Sequence, residues 1–372
     1  MDSSSADRRP PVAVFRDPTT PAAPPRFATG VHDHAQLAAT ALAEVATHAP
    51  EPLRGNGIRR AMAATADLVA AVSGRVTHLP GEALPTHSPS ESYFRVRETV
   101  LPAEQAALHG VLVVLRGLAD LAAAPVSGSD LALELAGMRQ ALLDLLATPA
   151  PGAAPAHEQH LPAPDPVRQA DPHGEWSARW IIGHQVHVLF NVGAATAVFE
   201  AARHLRREEP AAAVGALRRA VTQVRGFPAA MAHACAMPAE HYQRVVRPTM
   251  APPAEPRPLS GRMHRGYKFF RAAVRELLAE LPEPYDELHA RAPRLATARD
   301  ELLEADLIDA ERHATLAYSM VYLRHSIAQH PDGSANAVAE LRQIRHRRAA
   351  AYAPLTRFGD RYTAAAVAAL RD

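Results

Sequence analysis

A single cysteine, Cys235, and a single lysine, Lys268, stand in a chain of 372 residues. One thiol excludes an intramolecular disulfide framework, a thiolate zinc cluster and an iron–sulfur site, and the Cys-x-x-Cys-His signature of covalently attached heme is missing. Cys235 itself lies in AMAHACAMP, on an amphipathic helical pattern that suits a packed small hydrophobe. No run of about 18 apolar residues is free of charge, and the start MDSSSADRRPPVAVF has no hydrophobic signal core. A cytoplasmic location without a membrane partner is therefore expected. Excess charge is missing too: 40 Lys+Arg against 39 Asp+Glu leave +1. That balance lacks the attraction that phosphate backbones demand, so nucleic acid is not an expected partner, and the basic run RQIRHRR reads as a solvated helix face. Strand patterning is scarce, confined to THLPG and ESYFRV. No Glu is followed by His three residues later, which excludes the Glu-x-x-His pairs of di-iron bundles.

What the chain has in quantity is helical periodicity and histidine, of which there are 20. Residues 1–30 carry RRPP and DPTTPAAPP with no amphipathic period, and a disordered tail is expected there. Residues 31–147 read as a helical region, with PAEQAALHGVLVVLRGLADLAAA and DLALELAGMRQALLDLLA among its segments. Residues 148–174 are Pro-rich and aperiodic, the pattern of a linker. Residues 175–372 return to helical spacing and are expected to form a second, catalytic helical domain. The fold class is all-α, a helical bundle with additional N-terminal helices.

With di-iron, thiolate and covalent heme chemistry excluded, an oxidative all-α protein of this composition is left with a histidine-ligated, noncovalent heme. Two stretches offer histidines for it. In EWSARWIIGHQVHVLF, Trp180 and His184 are one turn apart and His187 lies nearly beneath them, among apolar neighbours. In ERHATLAYSMVYLRHSIAQH, Tyr318, Val321, Tyr322 and His325 share a stripe, and His313 falls on another face. Spacing alone also suits hydrogen-bonded core histidines, so structural and ligating roles both stand at this level. An HxxH metal pair of His184 and His187 has no carboxylate at a matching offset, which favours packing for His187.

WIIGHQ, the later HYQRVVRP, the PLSGRMHRGYKFFR segment and YLRHSIAQHPDGSANAVAEL follow one another in an order that resembles the histidine-ligated heme superfamily of tryptophan 2,3-dioxygenase. The heme-dependent tyrosine hydroxylases of natural-product pathways are grouped with it and are closest in character. The resemblance spans roughly residues 175–341. It implies heme b with His325 as the iron ligand, His313 being the next candidate, and His184 as the distal acid–base group. It implies substrate contacts from Trp180, Tyr242 and Arg247, with Ser334 touching substrate or heme or capping the following helix. In the superfamily Tyr and Arg are four residues apart; here Tyr242 and Arg247 are five apart, and Arg244 competes for the carboxylate.

The implied activity is a heme-dependent aromatic oxygenase using dioxygen or hydrogen peroxide. It would hydroxylate the ring of tyrosine, tryptophan or a derivative, with insertion of one oxygen favoured by the proline-rich segment after Arg247 and the short PDGS turn. Ring cleavage of the dioxygenase type is the alternative within enzymes. A helical scaffold or ligand-binding protein is the alternative outside them, and a homo-oligomer is compatible with each.

Overall fold

The computed structural model describes residues 10–20, 23–47, 51–148, 172–256, 259, 265–321 and 337–359. The chain is all-α as expected. The first half contributes α1 (Thr29–Thr47), α2 (Glu51–Ser73), the short α3 (Pro89–Tyr93), α4 (Ala103–Leu121) and α5 (Gly128–Leu145). The second half contributes the long α6 (Pro172–Arg206), α7 (Pro210–Ala234), a single turn α8 (Ala239–His241), α9 (Arg265–Glu280), α10 (Tyr285–Arg291), α11 (Pro293–Val321) and α12 (Ala337–Tyr352).

The tail expected at 1–30 does not hold for its described part. Ala13–Arg16 form a strand, β1, that pairs in parallel with β2 (Val96–Thr99), Ala13 opposite Val96. The sequence VAVF is too short to show a convincing period, but its alternation serves two sides of the strand. Val12 and Val14 pack with Leu101 and Ala106, while Ala13 and Phe15 join the main core. Of the two segments with strand patterning, ESYFRV reaches β2 only at Val96, and THLPG forms no strand.

The division into an N-terminal region and a separate catalytic domain is also corrected, because one hydrophobic core runs through both. Leu108 of α4 and Met138 of α5 belong to the same cluster as Val186 and Phe190 of α6 and Phe227 of α7. Phe190 fills a slot left by two glycines: a Cβ at Gly137 would meet its ring at 2.7 Å, and one at Gly226 at 2.8 Å. Most of the expected linker lies outside the described residues; at its ends Thr148 is buried and residues 172–174 already belong to α6.

Within this core sits an ionic knot. His233 of α7, fully buried, bonds through Nδ1 to Glu134 Oε1 of α5 at 2.8 Å and through Nε2 to Asp120 Oδ2 of α4 at 2.7 Å. Arg179 of α6 donates from Nε to the same Asp120 oxygen at 2.9 Å and from Nη1 to Ala236 O at 2.9 Å. Four helices meet at two carboxylates. Burial opposes the charge on His233, but Glu134 and Asp120 outweigh it and push its pKa up from 6.5 to about 9.

A second knot joins the C-terminal helices. Buried Asp306 of α11 accepts from Arg271 of α9 at 2.7 and 2.5 Å, and from Arg348 and Tyr352 of α12, each at 2.9 Å. The basic run RQIRHRR is therefore not simply a solvated face: Arg345 is buried and Arg348 serves Asp306, while Arg342 and Arg347 are exposed.

His233→Ala leaves Asp120 and Glu134 without the cation they share, and the expected cost in urea unfolding is about 3–5 kcal/mol. The wild-type protein keeps the contribution of this imidazolium in full below about pH 6.5 and loses it as pH rises through about 9. Stability that holds constant across that alkaline range would remove the charged assignment.

Candidate functional site

The site is built on the N-terminal half of α6. Trp180 and His184 are both buried, 7% and 6% exposed, with ring centroids 4.3 Å apart. His184 Nδ1 donates to the Trp180 carbonyl oxygen at 2.7 Å, which places the exchangeable position of this tautomer on Nε2. Gly183 lets α6 come this close to α7, since a Cβ there would lie 2.7 Å from the backbone of Ala234. The side chain that precedes the pair, Arg179, is the one locked into the knot around Asp120.

The opposite wall comes from residues to which the sequence reading assigned no role. Phe94 stacks on His184 at 4.1 Å with planes 19° apart, and its ring lies 6.3 Å from that of Trp180. A local code delivers it. Ser88 accepts from the Glu91 N–H at 3.2 Å, Pro89 opens the helix, and Glu91 Oε2 accepts from the His87 N–H at 2.7 Å. This capping box starts α3, which ends at Tyr93. Arg95 follows with φ of 53°, a left-handed conformation that a non-glycine residue adopts only when its surroundings enforce it.

Gln185 is the enforcer. Its Nε2 donates to the carbonyls of Pro11 at 3.0 Å, Phe94 at 3.3 Å and Arg95 at 3.1 Å, and its Oε1 accepts from Arg116 at 2.8 Å. The Gln of the His-Gln pair thus clamps the segment whose ring stacks on the His. An S-x-x-E box one residue before Tyr-Phe was the available signal for Phe94; no sequence signal marks the carbonyls that Gln185 reaches.

The third wall follows α8. Residues Tyr242–Val246 form a π-helical turn and Arg247–Met250 a 3-10 turn, with the Arg247 N–H bonded to Tyr242 O. A π turn closes over five residues, so the five-residue Tyr–Arg spacing keeps both side chains on one side. Tyr242 lies 5.2 Å from Trp180 by ring centroids. Burial, with a smaller contribution from Cys235, pushes its phenol well above the ordinary range. Arg247 is 4% exposed, and its burial lowers its pKa against the opposing effect of Tyr242. Arg244 instead is exposed and pairs with Glu240 at 2.8 Å, which leaves Arg247 as the inward guanidinium. Tyr93 joins this wall to α3, its hydroxyl 2.7 Å from Thr249 Oγ1.

The structure therefore brings Trp180, His184, Tyr242 and Arg247 into one neighbourhood and adds Tyr93, Phe94 and Gln185. His325, Ser334 and Tyr322 lie outside the described residues. Half-buried His187 packs against Phe227 at 5.4 Å and lies beside Asn191, in keeping with a packing role. His313, on α11, is held below its ordinary pKa by burial and by Arg348. Tyr318 is 44% exposed. Cys235 is half-buried at the end of α7, and its desolvated thiol is pushed up to about 12, as suits an inert packed residue.

Chemically, the neighbourhood offers aromatic faces, one buried cation, one imidazole and one orphan donor. The Trp180 indole Nε1 is buried without a hydrogen-bond partner. The unmet Trp180 donor suits a polar acceptor brought in by a ligand, and the rings suit a flat one. The chemistry of these side chains, aromatic faces with an imidazole and a guanidinium, fits a planar cofactor and an aromatic acid.

A family model described as SfmD 3-methyl-L-tyrosine peroxygenase matches residues 13–298, a span that includes Phe94, Trp180, His184, Tyr242 and Arg247 and ends before His325 and Ser334. Among solved structures, the chain is similar to "Crystal structure of reduced SfmD by soaking with sodium hydrosulfite", at 19% identity and a TM-score of 0.52. The likeness covers 82% of this chain and 98% of that one, and at this identity it is a likeness of fold. No curated protein matches.

Gln185→Leu leaves three carbonyls without their shared donor, and an expected loss of about 1–3 kcal/mol should appear in urea unfolding. Equal stability of the two proteins would remove Gln185 as the anchor of the Phe94 segment.

Proposed function

The chain belongs to the SfmD 3-methyl-L-tyrosine peroxygenase family, and from that premise we propose that it hydroxylates the ring of a tyrosine derivative with Arg247, Trp180, Phe94 and His184 as its working residues. The family is heme-dependent and serves natural-product biosynthesis. The observation that carries the residue assignment is the buried guanidinium of Arg247 on the turn that brings Tyr242 to Trp180, whose indole N–H is buried without a partner.

Heme, when bound, supplies the oxygen activation, and the sequence resemblance offers His325 as its ligand. Every other part is done by side chains. Arg247 holds the substrate carboxylate in a setting where burial strengthens the ion pair, which fixes the position of the ring. Trp180 and Phe94 supply apolar faces. Tyr242, kept protonated by burial, donates a hydrogen bond. His184, oriented by the Trp180 carbonyl and confined by Phe94, moves a proton at Nε2. Water is kept out by the burial of each of these groups.

With peroxide as oxidant, one oxygen enters the ring and the other leaves as water, so single-oxygen insertion is favoured over ring cleavage. The order WIIGHQ, HYQRVVRP and YLRHS supports a relation to the tryptophan 2,3-dioxygenase superfamily. Ser334 is a further candidate contact for the substrate ammonium.

Arg247→Leu is expected to weaken a carboxylate-bearing tyrosine derivative by about 1.5–3 kcal/mol without loss of heme, whereas Arg244→Leu leaves binding unchanged. Spectral titration of the heme-loaded protein measures both, and equal affinity in the Arg247 variant removes the clamp. His325→Ala is expected to abolish stable heme incorporation while leaving the helical circular dichroism intact. Full retention of the Soret band with an unchanged axial spectrum would transfer the ligand role to another histidine, and His313→Ala is the next comparison.

A further inference from the structure

The C-terminal half of α6 borders a cavity of 520 Å³ between α4, α5, α7 and the segment after β1. It lies along the helix from the candidate heme site: at about 1.5 Å per residue, Arg203 is about 28 Å beyond His184. Its apolar walls are Phe15, Leu145, Leu189 and Val192. Its volume falls within the range of sites that enclose a small organic ligand.

Three guanidiniums stand in its lining: Arg219 is taken up by Asp144 and Glu200, which leaves Arg16 and Arg203, both half-buried. They are close enough to influence each other: Arg16 is lowered by burial and further by the charge of Arg203, against the opposing effect of Asp17. Nearby carboxylates are already engaged. Asp17 accepts from Thr19 and pairs with Arg265 at 3.5 Å, while Glu200 and Asp144 share Arg219. Arg16 donates to the Thr20 carbonyl, and Arg203 has no hydrogen-bond or ion-pair partner among the described residues. Two like charges held partly out of water, with no acid to spare between them, are stabilised by an anion.

We propose that this cavity is a second small-molecule site, which takes a carboxylate with an apolar body of roughly amino-acid size, the carboxylate on Arg16 and Arg203 and the body against Phe15, Leu189 and Val192. The site is independent of the assignment of Arg247. An arene or a branched alkyl body satisfies the same walls, and the carboxylate is the shared chemistry.

The probe is 3-phenylpropanoate, titrated calorimetrically into heme-loaded protein carrying Arg247→Leu, so that the clamp beside His184 does not contribute. Binding is expected to persist in that background and to weaken about 10- to 100-fold on addition of Arg203→Gln or Arg16→Gln. The uncharged 3-phenylpropanamide and the bodiless acetate are both expected to bind at least about tenfold more weakly. Arg203→Gln in the wild-type background should leave the Soret response to a tyrosine derivative unchanged. Absence of binding in the Arg247→Leu background, or an affinity indifferent to Arg203 and Arg16, overturns the proposal. An amide that binds as tightly as the acid overturns it as well. A failed Arg247 clamp would show in the Soret titration alone and leave this calorimetric result standing.

Discussion

A protonated imidazole shared by two buried carboxylates is the constraint around which the helices are set. His233 is the last histidine of α7, Asp120 and Glu134 come from α4 and α5, and Arg179 brings in α6 through the same Asp120 oxygen. The residues next to these anchors build the site. Trp180 follows Arg179, and Ala234, which follows His233, is the residue that Gly183 lets approach. Beyond Ala234 the chain turns through Cys235–Pro238 into the π turn that carries Tyr242 and Arg247. The register between Trp180 and His184 on one side and Tyr242 and Arg247 on the other therefore descends from an ionic contact that touches none of them. A buried charge network is poor at adding net stability, yet breaking one partner is costly, which makes it an effective means of holding one arrangement of four helices.

The first hundred residues are part of the same machine rather than an appendage. Gln185 gathers Pro11, just before β1, with Phe94 and Arg95, between α3 and β2, and Phe94 covers the face of His184. The imidazole is thereby fixed at three points: its Nδ1 on a carbonyl, one face on Phe94 and an edge contact to Trp180. An imidazole confined in this way loses little orientation freedom when a ligand enters. The strained φ of Arg95 is consistent with a segment held for function. Near-exclusive use of arginine as the cation fits this interior, because a guanidinium presents several donors at once: Arg179, Arg271, Arg299 and Arg348 each serve two or more acceptors.

Helical class was legible because periodicity is a local property. Absences were equally legible, since one cysteine and a missing Glu-x-x-His remove whole chemistries by count alone. Trp180, His184, Tyr242 and Arg247 were found through spacing and resemblance, and the structure brings them together. Sequence alone left Arg244 and Arg247 in competition, because a helix of ordinary pitch favours neither at a spacing of two or five from Tyr242. In the structure Arg244 is exposed and pairs with Glu240, whereas Arg247 is buried.

The contacts of Gln185 and the pairing of β1 were beyond the reach of sequence because the partners lie about 80 to 170 residues away, as the bonds from Gln185 to Phe94 and Pro11 illustrate. Four alternating residues carry almost no periodic signal, so β1 was read as tail although its side chains are buried. The division into two domains failed for the same reason: a proline-rich break interrupts the local pattern but says nothing of which faces later share a core. What the sequence by itself determined was the helical class, the chemistry excluded by its missing residues and the identity of the aromatic, imidazole and guanidinium groups. Only the tertiary structure decided which of them face one another, because that depends on burial of distant surfaces and on where a few buried charges find their partners.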